Sequence, residues 1–181
     1  MAFNVTNFTG VLASKGLASS NKFEVAIHFP NGIRDLDLSL MCDTVTIAGK
    51  NIQSTVDLQY GVRREVAYGA PTYDPLTLTF YCTEKLEEKK LLDEWQNLIV
   101  KTDGPVRSNA GNYDVGYYDD YAKSSKVVVT KLSVSGDPVF KYEYREVYPK
   151  TINSIELNHG TSSGPMKVSA TFNYIYWKDV T

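Results

Sequence analysis

The residues best suited to chemistry in this 181-residue chain are two histidines, two cysteines and a few charged clusters, and none of them is spaced for catalysis or metal binding. His28 falls on the polar side of an alternating segment and His159 in an Asn-His-Gly turn. Neither has a second His or Cys at zinc-ligand spacing, so both read as solvated surface histidines. Cys42 and Cys82 lie in strand-like alternations and read as reduced, buried thiols rather than a disulfide. Asp114, Asp119 and Asp120 form an acidic group, but a calcium loop needs ligands at alternate positions and a terminal bidentate acid. They read as a solvated loop. Arg63, Arg64 and Glu65 form a compact charged cluster, with solvation as the simple reading and ion pairing between subunits as the alternative. No nucleophile elbow, P-loop or dinucleotide fingerprint occurs. The aromatic stripes Tyr142/Tyr144/Tyr148 and Phe172/Tyr174/Tyr176 lack the interleaved cations of a base-stacking platform. The expectation is a protein that is not an enzyme and that takes no cofactor and no metal.

Composition points the same way. Charged residues are 22%, apolar residues 43% and the net charge is −2, so no basic field marks a nucleic-acid binder. No segment approaches the roughly 18 apolar residues of a membrane span. The opening MAFNVTNFTGVLASKG carries neither a basic n-region nor a sustained apolar run, so no signal peptide is expected. The length suits one domain with a substantial core, and 13 tyrosines fit a strand-rich chain.

The elements follow from hydrophobic period. In Tyr73–Lys101 an alternating run, with Leu76, Leu78, Phe80 and Cys82 on one face, gives way to Leu91, Trp95, Leu98 and Ile99 at helical spacing. The reading is a strand running into a helix over 84–101, with Thr83 as its cap and those four apolar residues as its core anchors. Phe23, Val25, Ile27 and Phe29 alternate in a first strand, and Leu36, Leu38 and Leu40 in a second, which predicts a hairpin through Pro30-Asn31-Gly32. Strands are also expected at Lys126–Ser135, Phe140–Tyr148, Thr151–Asn158 and Met166–Trp177. Residues 1–20 form an arm with a helical turn at Val11 to Leu17, and 21–181 a single β-domain. Residues 43–75 read as a β-excursion with open edges, a hazard for a monomer and an asset for an assembling subunit. Residues 102–125 form a long polar loop. The fold class is mainly β, an antiparallel barrel or sandwich with one α-helix on its outside.

The order of NKFEVAIHF, MCDTVTIAG, YDPLTLTFYCTEKLEEKKLLDEWQNLI, VYPKTINSIELNHG and KVSATFNYIYW resembles the tail tube proteins of contractile-tailed bacteriophages. The resemblance covers Asn21 to Trp177. It implies a structural virion protein: a homo-hexamer whose rings stack into a tube, enclosed by the tail sheath protein. Tape-measure protein and then viral DNA occupy the lumen without sequence-specific binding. Baseplate and tail-terminator proteins bound the tube, and assembly takes place in the host cytoplasm. A baseplate-proximal tube protein and the inner tube of a related injection system are the alternatives. A monomeric β-domain that binds carbohydrate or protein is the reading from another class. On the tube reading, Lys50, Asn51, Ile52, Gln53, Ser54 and Thr55 form the tip of the excursion and contact the next ring. Arg63, Arg64 and Glu65 are the candidates for ion pairing between subunits.

Overall fold

The structure is a computed structural model that describes residues 5–30, 33, 38–58, 61, 63–101, 114–160 and 164–180. In chain order it contains α1 (Val5–Lys15), β1 (Phe23–His28), a 3-10 turn (Leu38–Met41), β2 (Cys42–Thr46), β3 (Lys50–Asn51), β4 (Ser54–Asp57) and β5 (Arg64–Ala67). There follow β6 (Thr72–Tyr73), β7 (Leu76–Tyr81), α2 (Glu87–Ile99), β8 (Val100–Lys101), β9 (Asp114–Val115) and α3 (Tyr118–Tyr121). The chain closes with β10 (Lys126–Leu132), β11 (Pro138–Arg145), β12 (Tyr148–Ile152), β13 (Lys167–Asn173) and β14 (Tyr176–Asp179).

Alternating apolar residues build two antiparallel four-stranded sheets, ordered β1-β10-β11-β14 and β12-β13-β7-β2. Their inner faces meet in one core. Val25, Ile27, Val127, Val129 and Tyr144 come from the β1 sheet, and Leu76, Leu78, Phe80, Val168, Ala170 and Phe172 from the β7 sheet. The fold is therefore mainly β, a sandwich that does not close into a barrel within one chain. Leu91, Leu92 and Trp95 of α2 enter the same core. Trp95 is fully buried, with its ring 5.2 Å from that of Phe29 and 5.9 Å from that of Phe172. Its Nε1 donates to the Tyr121 carbonyl at 3.0 Å. Of the expected anchors, Leu91 and Trp95 are buried, Leu98 and Ile99 only half-buried, and Leu92 is buried as well.

The helix starts later than its sequence period implies. Leu86 sits in the left-handed region at φ 54°, which ends the preceding turn and delays regular helix to Glu87. Thr83 does not cap the helix. Its N–H and hydroxyl both donate to Oε2 of the buried Glu88, at 2.9 and 3.0 Å. A buried carboxylate is tolerated because those donors satisfy it. Glu88→Ala is expected to lower stability by about 1–3 kcal/mol, because it leaves the Thr83 donors unpaired. Glu88→Gln keeps an acceptor oxygen and should recover most of that loss, as urea denaturation of the two variants would show.

Other expectations need correction. Leu38–Met41 is a 3-10 turn and not a second strand. Leu38 is buried while Leu40 is exposed, and Ser39 Oγ accepts the Ile27 N–H at 3.0 Å, so the turn covers the edge of β1. The strand that pairs with β1 is β10. The rest of that expected hairpin, Leu36 and the Asn31-Gly32 turn, lies outside the described residues. Thr151–Asn158 is largely not strand: β12 begins at Tyr148, passes through Pro149 and ends at Ile152. Proline is acceptable there because β12 is an edge strand. The last expected strand splits at Tyr174–Ile175, so that β13 and β14 belong to different sheets, and Phe172 and Tyr176 do not share one stripe. Within the expected polar loop, β9 pairs with β8 and α3 follows, while 102–113 lies outside the described residues. Near the start, the expected short turn at Val11 to Leu17 is instead the helix Val5–Lys15. The chain thus carries three helices among its described residues, not one.

Candidate assembly surfaces

Residues 42–81 form one long antiparallel hairpin. β2 pairs with β7 inside the sandwich, β3 pairs with β6 beyond it, and β4 pairs with β5 further out. The expected excursion is therefore an arm rooted in the core. At its base Ala48 N–H donates to the Tyr144 hydroxyl at 3.3 Å, and the Tyr174 hydroxyl donates to the Asp74 carbonyl at 2.7 Å. A Cβ at Gly49 would lie 2.6 Å from the Asp74 carboxylate, so a larger residue there would displace that side chain. Asn51 Nδ2 donates to the same carboxylate group at 3.0 Å.

Lys50, Asn51, Ile52, Gln53, Ser54 and Thr55 are all exposed, but they form the shaft of this arm and not its tip. The last described rung pairs Asp57 with Arg64, so the chain turns within 58–63. The charged cluster is divided by this geometry. Arg64 Nε meets Asp57 Oδ2 of its own chain at 3.3 Å, while Arg63 and Glu65 are exposed. Two strands without a third are marginal in water, yet Ile52, Val56, Leu58, Val66 and Tyr68 are exposed on this ribbon.

The outward face of the β7 sheet is a second surface. Register places Thr46, Thr77, Thr171 and Thr151 across one row and Thr44, Thr79 and Ser169 across the next, with Thr79 Oγ1 donating to Ser169 Oγ at 3.3 Å. Charge appears only at the margins, at Lys150 and at the Lys167–Asp43 pair, 2.7 Å apart. The Lys167 ammonium, followed by the Tyr81 hydroxyl, holds the Asp43 carboxyl below the usual carboxylate range. The outward face of the β1 sheet differs, presenting Lys126, Lys141, Arg145 and Lys178 beside Glu24 and Glu143.

The sheet edges also differ. The 3-10 turn packs on β1, and α2 flanks β12, where Gln96 Nε2 donates to the Pro149 and Lys150 carbonyls at 3.4 Å. β14 and β2 end their sheets, with no further strand beyond them among the described residues. A cleft of about 310 Å³ lies between α2 and β12, lined by Gln96, Asn97, Ile99, Val100, Tyr148, Pro149 and Lys150. It contains no carboxylate, imidazole or thiol. His28 and His159 are exposed, Asp119 pairs with Lys123 at 2.7 Å, and the two cysteines are free thiols. Burial, then the Asp43 charge, pushes the Cys42 thiol up to about 12.

The family model for the phage tail tube protein matches residues 18–180. The chain belongs to the phage tail tube protein family. It is a structural component of the virion tail. No curated protein sequence matches it. Similar solved folds include a chain of the anti-feeding prophage baseplate, with 12% identity, 92% of this chain and 97% of that chain covered, and a TM-score of 0.63. A chain from the sheath–tube complex of an extracellular contractile injection system, PVC, in its extended state shares 10% identity over 99% of this chain and 100% of that one, with a TM-score of 0.55. The SPP1 tail tube gives 10% identity, 90% and 78% coverage, and a TM-score of 0.54. The arm of this tube protein lies within the β-excursion expected over residues 43–75. The threonine rows could also have been found, from the hydroxyl side chains at alternate positions in 77–79 and 169–171.

Proposed function

We propose that six copies of this chain join side by side into a ring, that rings stack into a tube, and that the outward face of the β7 sheet lines the lumen. The observation that carries this reading is the hydroxyl surface of Thr44, Thr46, Thr77, Thr79, Thr151, Ser169 and Thr171. Passing DNA is a dense polyanion that lysines and arginines would hold. A wall of neutral hydroxyls stays wetted and gives phosphates no cation to grip. The cationic outward face of the β1 sheet then lies away from the lumen and meets the sheath. Joining the open β2 edge of one copy to the β12 side of the next removes the free edge of that sheet. Such an interface is heterologous and closes by rotation. Tape-measure protein fills the lumen before DNA, baseplate and terminator proteins bound the tube, and the chain assembles in the host cytoplasm. It acts by assembly alone, without a catalytic step.

Negative-stain microscopy of the purified chain tests the ring and the tube directly. Six-fold rings and stacked tubes are expected, and a monodisperse monomer at high concentration would overturn the reading. The lumen assignment has its own test in the double variant Thr77→Lys/Thr171→Lys. Its tubes are expected to retain short duplex DNA at low salt and release it steeply as salt rises, whereas parent tubes retain none. Lysines that remain open to a bulky amine reagent in assembled, end-capped tubes would place this face outside.

A further inference from the structure

We infer that Gln96 guards the β12 edge in the free chain and yields it to β2 of the next copy when a ring closes. This rests on the ring reading above and gives a residue of α2 control of that joint. β12 ends its sheet, with β13 on one side and no strand on the other among the described residues. Its first half is rich in acceptors and poor in donors. Pro149 has no N–H, and a register shift between Pro149 and Thr151 leaves Lys150 outside the ladder with β13. The carbonyls of both residues accept from the Gln96 side chain instead, at 3.4 Å. One amide nitrogen therefore serves two acceptors, each beyond the usual N–H···O range of about 2.7–3.2 Å. Such a contact covers an edge that would otherwise pair with any extended chain. A backbone N–H at ordinary distance outcompetes it.

The edge that fits this one is β2. Every pair along β12, β13, β7 and β2 is antiparallel, so β2 runs opposite to β12. A second copy joined edge to edge then continues the alternation, and rotation about a ring axis keeps the hydroxyl rows on one face. Two β12 edges would set acceptors against acceptors around Pro149. β2 (Cys42–Thr46) contains no proline and has no strand on its outer side among the described residues, so alternate N–H groups face outward. Thr46 stands in one row with Thr77, Thr171 and Thr151. The next residue, Ile47, is 46% exposed and falls at the same end of the sheet as Pro149. The cleft between α2 and β12 lies at that end, with Ile99, Val100 and Pro149 in its lining, an apolar wall for the incoming strand. α2 thus has two parts in the joint: Gln96 holds the edge, and the turn after it forms the wall.

Sedimentation velocity of the full-length chain over a range of concentrations tests the guard. Gln96→Ala removes the donor, and Gln96→Met removes it while keeping the length of the side chain. Both should form rings at a chain concentration about 2- to 10-fold below that of the parent, the range for one ordinary hydrogen bond's worth of competition. Their melting midpoints should stay within a few degrees of the parent's. Gln96→Lys keeps a donor within reach and should not fall below the parent threshold. Loss of a merely structural contact would not favour assembly. An unchanged or raised threshold for Gln96→Ala and Gln96→Met, or a threshold for Gln96→Lys as low as theirs, would overturn the guard and leave the ring reading intact. A parent chain that forms no rings at any concentration would overturn the ring reading and the guard with it.

Discussion

Trp95→Ala is expected to lower the stability of the folded chain by about 3–5 kcal/mol, the range for deleting a fully buried aromatic side chain. For a domain of this size that is a fall in melting midpoint of roughly 6–20 °C. Two effects add. The indole fills the space between Phe29, just past β1, and Phe172 of β13, so its loss leaves a cavity where helix and both sheets meet. Its N–H also satisfies the Tyr121 carbonyl, so α3 loses its tie to α2. Trp95→Phe separates the two, because it restores most of the ring contact and none of the hydrogen bond. It should fall between the parent and Trp95→Ala in a thermal melt followed by circular dichroism. A normal midpoint for Trp95→Ala would show that α2 does not close this side of the sandwich. Because α2 flanks β12, the same variant should also weaken ring formation on the proposed reading.

Trp95 also shows why part of the fold was legible from sequence. The change of period between Phe80 and Leu91 is local, and both the strand and the helix bury one face, so residue type reports position directly. Legibility fails where the decisive partner is distant in sequence. Glu88 is a first-turn carboxylate of α2, which the helix dipole alone would favour, but two Thr83 donors take it into the interior. Leu36, Leu38 and Leu40 have the period of a strand, yet Ser39 is needed to cover the edge of β1, which a local pattern cannot reveal. The run from Val168 to Tyr176 alternates without a break, although the chain changes sheets at Tyr174–Ile175. A period of two shows that a segment is extended, but not which sheet receives it. The exposed arm was visible as weak alternation. Its pairing was not, because the register of a ribbon open on both faces is only weakly written in its side chains.

That pairing makes the contact between rings testable at two depths. Replacing residues 52–71 by Asn-Gly joins Asn51 to its register partner Thr72, a length that suits a two-residue hairpin. The β4–β5 ribbon lies outside the core, so the melting midpoint should move by no more than a few degrees, and rings should still form. Tubes should be lost, as negative-stain images would show. A milder variant replaces residues 58–63 by Asn-Gly between Asp57 and Arg64, which removes the tip and keeps the shaft. If this variant stacks normally while the longer deletion does not, the contact lies on the shaft, where Ile52, Gln53, Ser54 and Thr55 are exposed. If the tip deletion alone abolishes stacking, the contact lies beyond Asp57, and Lys50–Thr55 only holds it at the right height. Normal tubes from both variants would remove the arm from the interface altogether. The exposed Ile52, Val56 and Leu58 would then need a cover other than the next ring.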